Sequence, residues 1–209
     1  MKMFRTPRFL RLIYKRRTWG FSLAPGEVYL TFDDGPHPDI TPWVLDELKK
    51  HDIRACFFCV GENVKRYPEI YARILREGHL TGNHTMRHEN AAKTKPQAYL
   101  RSVAEASWWI DSPYFRPPYG RLSPQLAKVL SKKYHLLMWS WLSYDYDRSL
   151  PLSRILDRAR RDIRAGDILV LHDNPKIADR QQELLPQLIA VIQEKQLAFG
   201  KPSLKHKSA

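Results

Sequence analysis

From residue 26 onward, short β-branched or aromatic runs alternate with helix-opening signals, and the polar residues able to do chemistry stand at the ends of those runs. Val28 to Phe32 leads into the turn Asp33-Asp34-Gly35-Pro36. Thr41-Pro42 then supplies a cap and a proline at the first helical position, which predicts a helix through Lys50. Further strands are expected at Ala55 to Val60, His79 to Asn83, Tyr114 to Arg116, His135 to Leu142 and Ile168 to Leu171, with Leu197 to Phe199 as a candidate seventh. Between them the pattern predicts helices over Asn63 to Glu77 (interrupted at Pro68, stopped by Gly78), Pro96 to Ile110, Pro124 to Lys133 behind Ser123, Leu152 to Arg164 and Gln181 to Gln196. Strands that alternate with helices are joined by crossovers and therefore run parallel. Periodicity alone does not separate a closed βα barrel from an open doubly wound sheet.

Composition narrows the function classes. The 209 residues are enough for one domain with a sizeable core, and neither the 43% apolar nor the 27% charged content is unusual. The net charge of +13 belongs to the ends. Residues 1–18 carry seven basic side chains and no acid, and residues 195–209 carry four more, which leaves the body near +2. A nucleic-acid groove across the body is therefore not expected. We divide the chain into a basic arm (1–25), a catalytic domain (26–200) and a basic tail (201–209). No apolar run is long enough for a membrane span or a secretory signal, so the expected location is cytoplasmic. After Pro7, a helix would set Phe9, Leu10, Ile13 and Tyr14 against Arg8, Arg11 and Lys15. Such an arm either packs on the domain or makes peripheral contact with an anionic membrane. Cys56 and Cys59 read as two core thiols, because strand positions three apart face opposite ways and cannot share a bond or a metal.

The chemistry is carried by three clusters. Adjacent carboxylates in TFDDGP (Thr31 to Pro36) supply one metal ligand and one base; HTMRH (His84 to His88) places two imidazoles four residues apart, on one face if that turn is helical; LHD (Leu171 to Asp173) offers a late histidine as an acid. One carboxylate and two imidazoles leave a position open for water, the catalytic style of site, and this nitrogen and oxygen mixture favours zinc, with cobalt or nickel as substitutes. His37, His51, His79, His135 and His206 have no partner at ligand spacing.

Together with RPPYG (Arg116 to Gly120) and the segment around Asp145, these motifs resemble the polysaccharide deacetylase family, the NodB-homology or carbohydrate esterase 4 group, in the family's own order. The resemblance implies an α/β fold, a distorted (β/α)7 TIM-like barrel in a single domain, with the site at the strands' C-terminal ends. It implies that Asp33 is the general base, that Asp34, His84 and His88 hold the metal, and that His172 is the acid. It further implies that Arg116 orients Asp33, that the backbone N–H of Tyr119 faces the oxyanion, and that Asp145, preferred over Asp147, tunes His172. Val170 fits the wall around the acetyl methyl. The family usually has tryptophan after that aspartate; Tyr146 here changes the pocket's shape. Tyr119, Tyr144 and Tyr146 are the aromatics placed to stack on a sugar. The implied activity is removal of N-acetyl groups from GlcNAc-containing saccharides, with O-acetyl esterase action or hydrolysis of a small non-sugar amide as alternatives; the short chain leads us to expect a shallow, open cleft and a monomer.

Overall fold

The computed structural model describes residues 2–21 and 26–201; the rest of the basic tail, from residue 202, lies outside the described residues. Nine short strands form one curled parallel sheet: β1 (Arg17–Thr18), β2 (Glu27–Asp33), β3 (Cys56–Cys59), β4 (Leu80–Asn83), β5 (Tyr114–Phe115), β6 (His135–Leu137), β7 (Trp141–Leu142), β8 (Ile168–His172) and β9 (Ala198–Phe199). Their order is β1-β6-β5-β4-β3-β2-β8-β7, and β9 pairs with the start of β2. Helices α1 (Arg8–Ile13), α2 (Thr41–Lys50), α3 (Gly61–Arg66), α4 (Pro68–Arg76), α5 (Pro96–Ala106), α6 (Pro124–Leu130), α7 (Leu152–Asp162) and α8 (Ala178–Glu194), with short 3-10 turns at Pro118–Gly120 and Pro175–Ile177, make up the rest of the regular structure among the described residues. The expected α/β barrel-like architecture is present as a curled, open sheet.

Apolar periodicity explains the layers. The inward stripes of α2, α7 and α8 (Val44, Leu45, Leu48; Ile155, Leu156; Leu184, Leu188, Ile192) pack on the outer face of β2, β3 and β8. Strand residues of opposite parity, Tyr29, Cys56, Phe58 and Ile168, fill the inside of the curl. Cys56 thus faces the interior and Cys59 the helical layer; both are buried and free. Ser123 caps α6, its hydroxyl accepting from the N–H of Leu126 at 3.2 Å, as the Ser-Pro pair predicts.

Two expectations about elements are corrected. The apolar run His135 to Leu142 is not one strand: β6 pairs with β5 and β1, whereas β7 pairs with β8, and Met138 to Ser140 crosses between them. A continuous apolar run is equally consistent with two buried strands, so its composition conceals the break. Nor does Thr41 cap α2. Its hydroxyl donates to Asp173 at 2.6 Å and accepts from the N–H of His37 at 2.8 Å, a tertiary tie that displaces the local one.

The seam between β6 and β7 is occupied by the N-terminal arm. Leu142 N–H donates to Phe4 O and Thr6 N–H to Ser140 O, each at 2.9 Å, so residues 4–6 run antiparallel along β7. After α1 the chain returns as β1 beside β6. Phe4 is buried against Trp141 and Tyr144, and Arg5 forks onto Asp167 at 2.6 and 3.0 Å. Gly166 lets the arm close in: a Cβ there would lie 2.0 Å from Phe21 O.

Candidate active site

All the motif residues meet at the C-terminal ends of the strands, where parallel sheets gather residues that are distant in sequence. Asp33 ends β2 and lies in register with His172, which ends β8. A cleft of about 260 Å³ between them is lined by Asp33, Asp34, His84, His88, Tyr119, Tyr146, Val170 and His172, together with Pro117, Trp139 and Leu142.

Asp33 and Asp34 point different ways because the backbone turns left-handed at Asp34 (φ 88°). Oδ1 of Asp33 accepts from Arg116 Nη1 at 2.7 Å. The Arg116 guanidinium is fully buried over the Phe58 ring and also donates to Thr31 Oγ1 and to the carbonyls of Leu137 and Met138. One arginine therefore ties β2 to the end of β6, with Asp33 held between them.

Asp34 Oδ1 lies 3.2 Å from His88 Nε2 and 3.8 Å from His84 Nε2, and these three residues are the one cluster of metal-ligating type found among the described residues. That oxygen is buried and receives no well-aligned hydrogen bond among the described residues, an orphan that a cation would satisfy. His84 Nδ1 lies 2.7 Å from Arg116 O; a carbonyl only accepts, so Nδ1 carries the hydrogen and the Nε2 lone pair faces Asp34. Burial pulls the His84 pKa down to about 4, which keeps the ring neutral as a ligand must be. Burial pushes the Asp34 pKa up, but the rings of His88, His172 and His84 outweigh it and hold the carboxyl well below the usual carboxylate range.

The two histidines do not converge through a helical turn. Their segment is irregular, with left-handed backbone at Thr85 (φ 66°) and His88 (φ 57°). Asn83 Oδ1 accepts from Thr85 N–H, Thr85 Oγ1 accepts from Glu89 N–H and Ser102 Oγ accepts from Met86 N–H, and these bonds shape the loop in place of helical ones.

His172 is bonded twice to Asp145: its N–H donates to Oδ2 at 2.8 Å and its Nδ1 to Oδ1 at 2.7 Å. Burial lowers the His172 pKa, but Asp145, then Asp34 and Asp33, raise it to about 10. Asp147 instead faces Ser149 and Lys2. Tyr146 meets the His172 ring edge-on at 5.2 Å, and Tyr119 (φ 60°) sets its ring 4.8 Å from His88. Tyr144 packs on Phe4, away from the cleft lining.

Several contributors are absent from the sequence reading. Asn174 Nδ2 donates to Asp34 Oδ2 at 3.2 Å. The buried Asp173 accepts from Gly35 N–H at 2.9 Å and from Thr41, and its own N–H donates to Asp33 O, so it pins the turn that carries both carboxylates. A Cβ on Gly35 would meet that carboxylate at 2.0 Å. Trp139 also lines the cleft. Asp173 closes LHD and Asn174 follows it, and that position was the one signal available for either.

A curled parallel sheet with a carboxylate and two histidines at one mouth, beside a second carboxylate and a third histidine, has the donor set of a metal-dependent hydrolase. Residues 22–135 match the family described as polysaccharide deacetylase, and the chain belongs to that family. It is 34% identical over 174 residues to a peptidoglycan-N-acetylglucosamine deacetylase of Bacillus cereus; the match covers 78% of this chain and 63% of that relative's length. A second Bacillus cereus protein of the same name is 33% identical, with 82% and 85% covered. A chitooligosaccharide deacetylase of Bradyrhizobium is 37% identical, with 79% and 78% covered. A crystal structure of a peptidoglycan N-acetylglucosamine deacetylase in complex with an N-hydroxybenzamide superposes with a TM-score of 0.85 at 27% identity, covering 94% of each chain.

Proposed function

We propose that this chain removes N-acetyl groups from GlcNAc units of a saccharide and releases acetate, with zinc held by Asp34, His84 and His88 and with cobalt or nickel as working substitutes. The relatives named above support the substrate class. The observation that carries the reading is the orphaned Asp34 Oδ1 facing two imidazole nitrogens, beside an independently held base and acid. The ion, when bound, lowers the pKa of water and polarises the acetamide carbonyl.

The remaining chemistry belongs to the chain. Arg116 occupies Oδ1 of Asp33 and leaves Oδ2 to take the proton of the attacking water. The Tyr119 N–H, turned by its left-handed backbone, donates to the oxygen on which negative charge develops. His172, kept protonated by Asp145, gives its proton to the leaving nitrogen as the C–N bond breaks, and the products are an amine and acetate. Val170, Leu142 and Trp139 form an apolar wall for the acetyl methyl. Tyr119 and Tyr146, each at least half exposed at the rim, stack on the sugar. The protein works as a monomer, since one chain supplies every group.

Acetate release from N-acetylated chitooligosaccharides, acetylated xylan and small amides tests the assignment. Release from the chitooligosaccharides with a matching yield of free amine is expected. Release from acetylated xylan alone, or from small amides alone, would replace it with the esterase or the non-sugar amidase reading.

A further inference from the structure

The end of the barrel opposite the cleft has a chemistry that deacetylation does not use. Residues 4–6 descend along β7 from Leu142 to Ser140, so α1 lies beyond the N-terminal ends of the strands, and β1 climbs back beside β6. Phe9, Leu12 and Ile13 of α1 are 58%, 72% and 64% exposed, three large apolar side chains at helical spacing. Four exposed cations share this end: Lys15 and Arg16 just before β1, Lys132 before β6 and Arg164 before β8. No ion pair is made by any of the four among the described residues; of the acids at this end, Asp162 is paired with Arg158 and Asp167 with Arg5, Glu27 accepts from the Tyr29 hydroxyl, and exposed Asp111 before β5 makes no ion pair among the described residues.

We propose that this end docks on an anionic lipid surface, with Phe9, Leu12 and Ile13 entering the headgroup layer, so that the catalytic mouth faces away from the bilayer. An exposed apolar patch at the same end as four cations that make no ion pair among the described residues matches the two components of peripheral membrane binding, burial of apolar area and attraction to anionic headgroups. A free surface with this pairing is unusual, because soluble chains rarely leave neighbouring large apolar side chains uncovered. The orientation follows from the topology: α1 and the cleft lie at opposite ends of the same strands, which suits a substrate presented from the far side of the enzyme and not one embedded in the supporting membrane.

Cosedimentation of the full chain with phosphatidylcholine vesicles, with and without phosphatidylglycerol, tests this. Binding is expected only to the anionic vesicles, and it should be lost as salt is raised. Leu12→Ser/Ile13→Ser and Lys15→Glu/Arg16→Glu should each weaken the partition by about tenfold or more, with melting temperature and metal content unchanged. An environment-sensitive dye on Phe9→Cys should shift to the blue on the vesicles, while one on Tyr119→Cys should not; the two native thiols are buried. Absence of binding, equal binding to neutral vesicles, or a shift at position 119 alone would overturn the proposal. Concentration-dependent dimerisation that disappears in Leu12→Ser/Ile13→Ser, with no vesicle binding, would assign the patch to a second copy of the chain instead.

Discussion

Replacing Arg116 by methionine keeps most of the volume and apolar stem but removes the guanidinium. The loss is worked from four contacts: Asp33 Oδ1 at 2.7 Å, Thr31 Oγ1 at 2.7 Å, Leu137 O at 2.9 Å and Met138 O at 2.8 Å. Asp33 is only 4% exposed, so its charge would be left buried without its counter-ion. Breaking a buried pair from one side costs about 3–5 kcal/mol, and each orphaned buried acceptor about 1–3 kcal/mol if no water reaches it. These terms overlap, and about 4 kcal/mol is a conservative total against a domain stability of about 5–15 kcal/mol. In a domain of this size that is a fall of about 8–16 °C in melting temperature. Arg116→Lys should recover part of the loss, since it restores one charge but cannot span four acceptors. Urea and thermal unfolding of the metal-loaded proteins supply the measurement. An Arg116→Met protein within about 1 kcal/mol of the parent would refute the claim that this side chain joins β2 to the end of β6.

Asp145→Asn should move the alkaline limb of the pH–rate profile to lower pH, because Asp145 is the main influence raising His172 to about 10; an unmoved limb would contradict the pairing. The same shift links to stability. The folded pKa exceeds the ordinary 6.5, so the contribution is fully present below pH 6.5 and is lost as pH rises through about 10, and Asp145→Asn should flatten that decline in unfolding free energy. Asn174→Ala should weaken zinc affinity by about 10- to 100-fold in a chelator competition, since it frees Asp34 Oδ2 to rotate away. Equal affinity would remove Asn174 from the site's support.

Much of this architecture was legible in the chain because the rules involved are local. Proline in the first turn marked α2 and α6, Gly78 marked the end of α4, and apolar runs located β2, β3 and β8. What stayed hidden depends on partners distant in sequence. Arg5, Thr6, Arg17 and Thr18 join the sheet through backbone bonds that leave no apolar signature, so the arm's place in the seam between β6 and β7 could not be read. The spacing of His84 and His88 suggested a helical turn, but side chains from Asn83, Thr85 and Ser102 build a left-handed loop instead. Asp173 and Asn174 act on a turn about 140 residues away, a relation that appears only when β2 and β8 lie side by side.

The measurement that bears most directly on the central claim is metal titration coupled to acetate release. Protein stripped by a chelator is titrated with zinc while deacetylation of a chitooligosaccharide is followed. The account predicts no activity without metal, a linear rise that saturates at one zinc per chain, and neither tight binding nor activity in His84→Ala. Full activity in the stripped protein, or an unchanged metal content in His84→Ala, would contradict it.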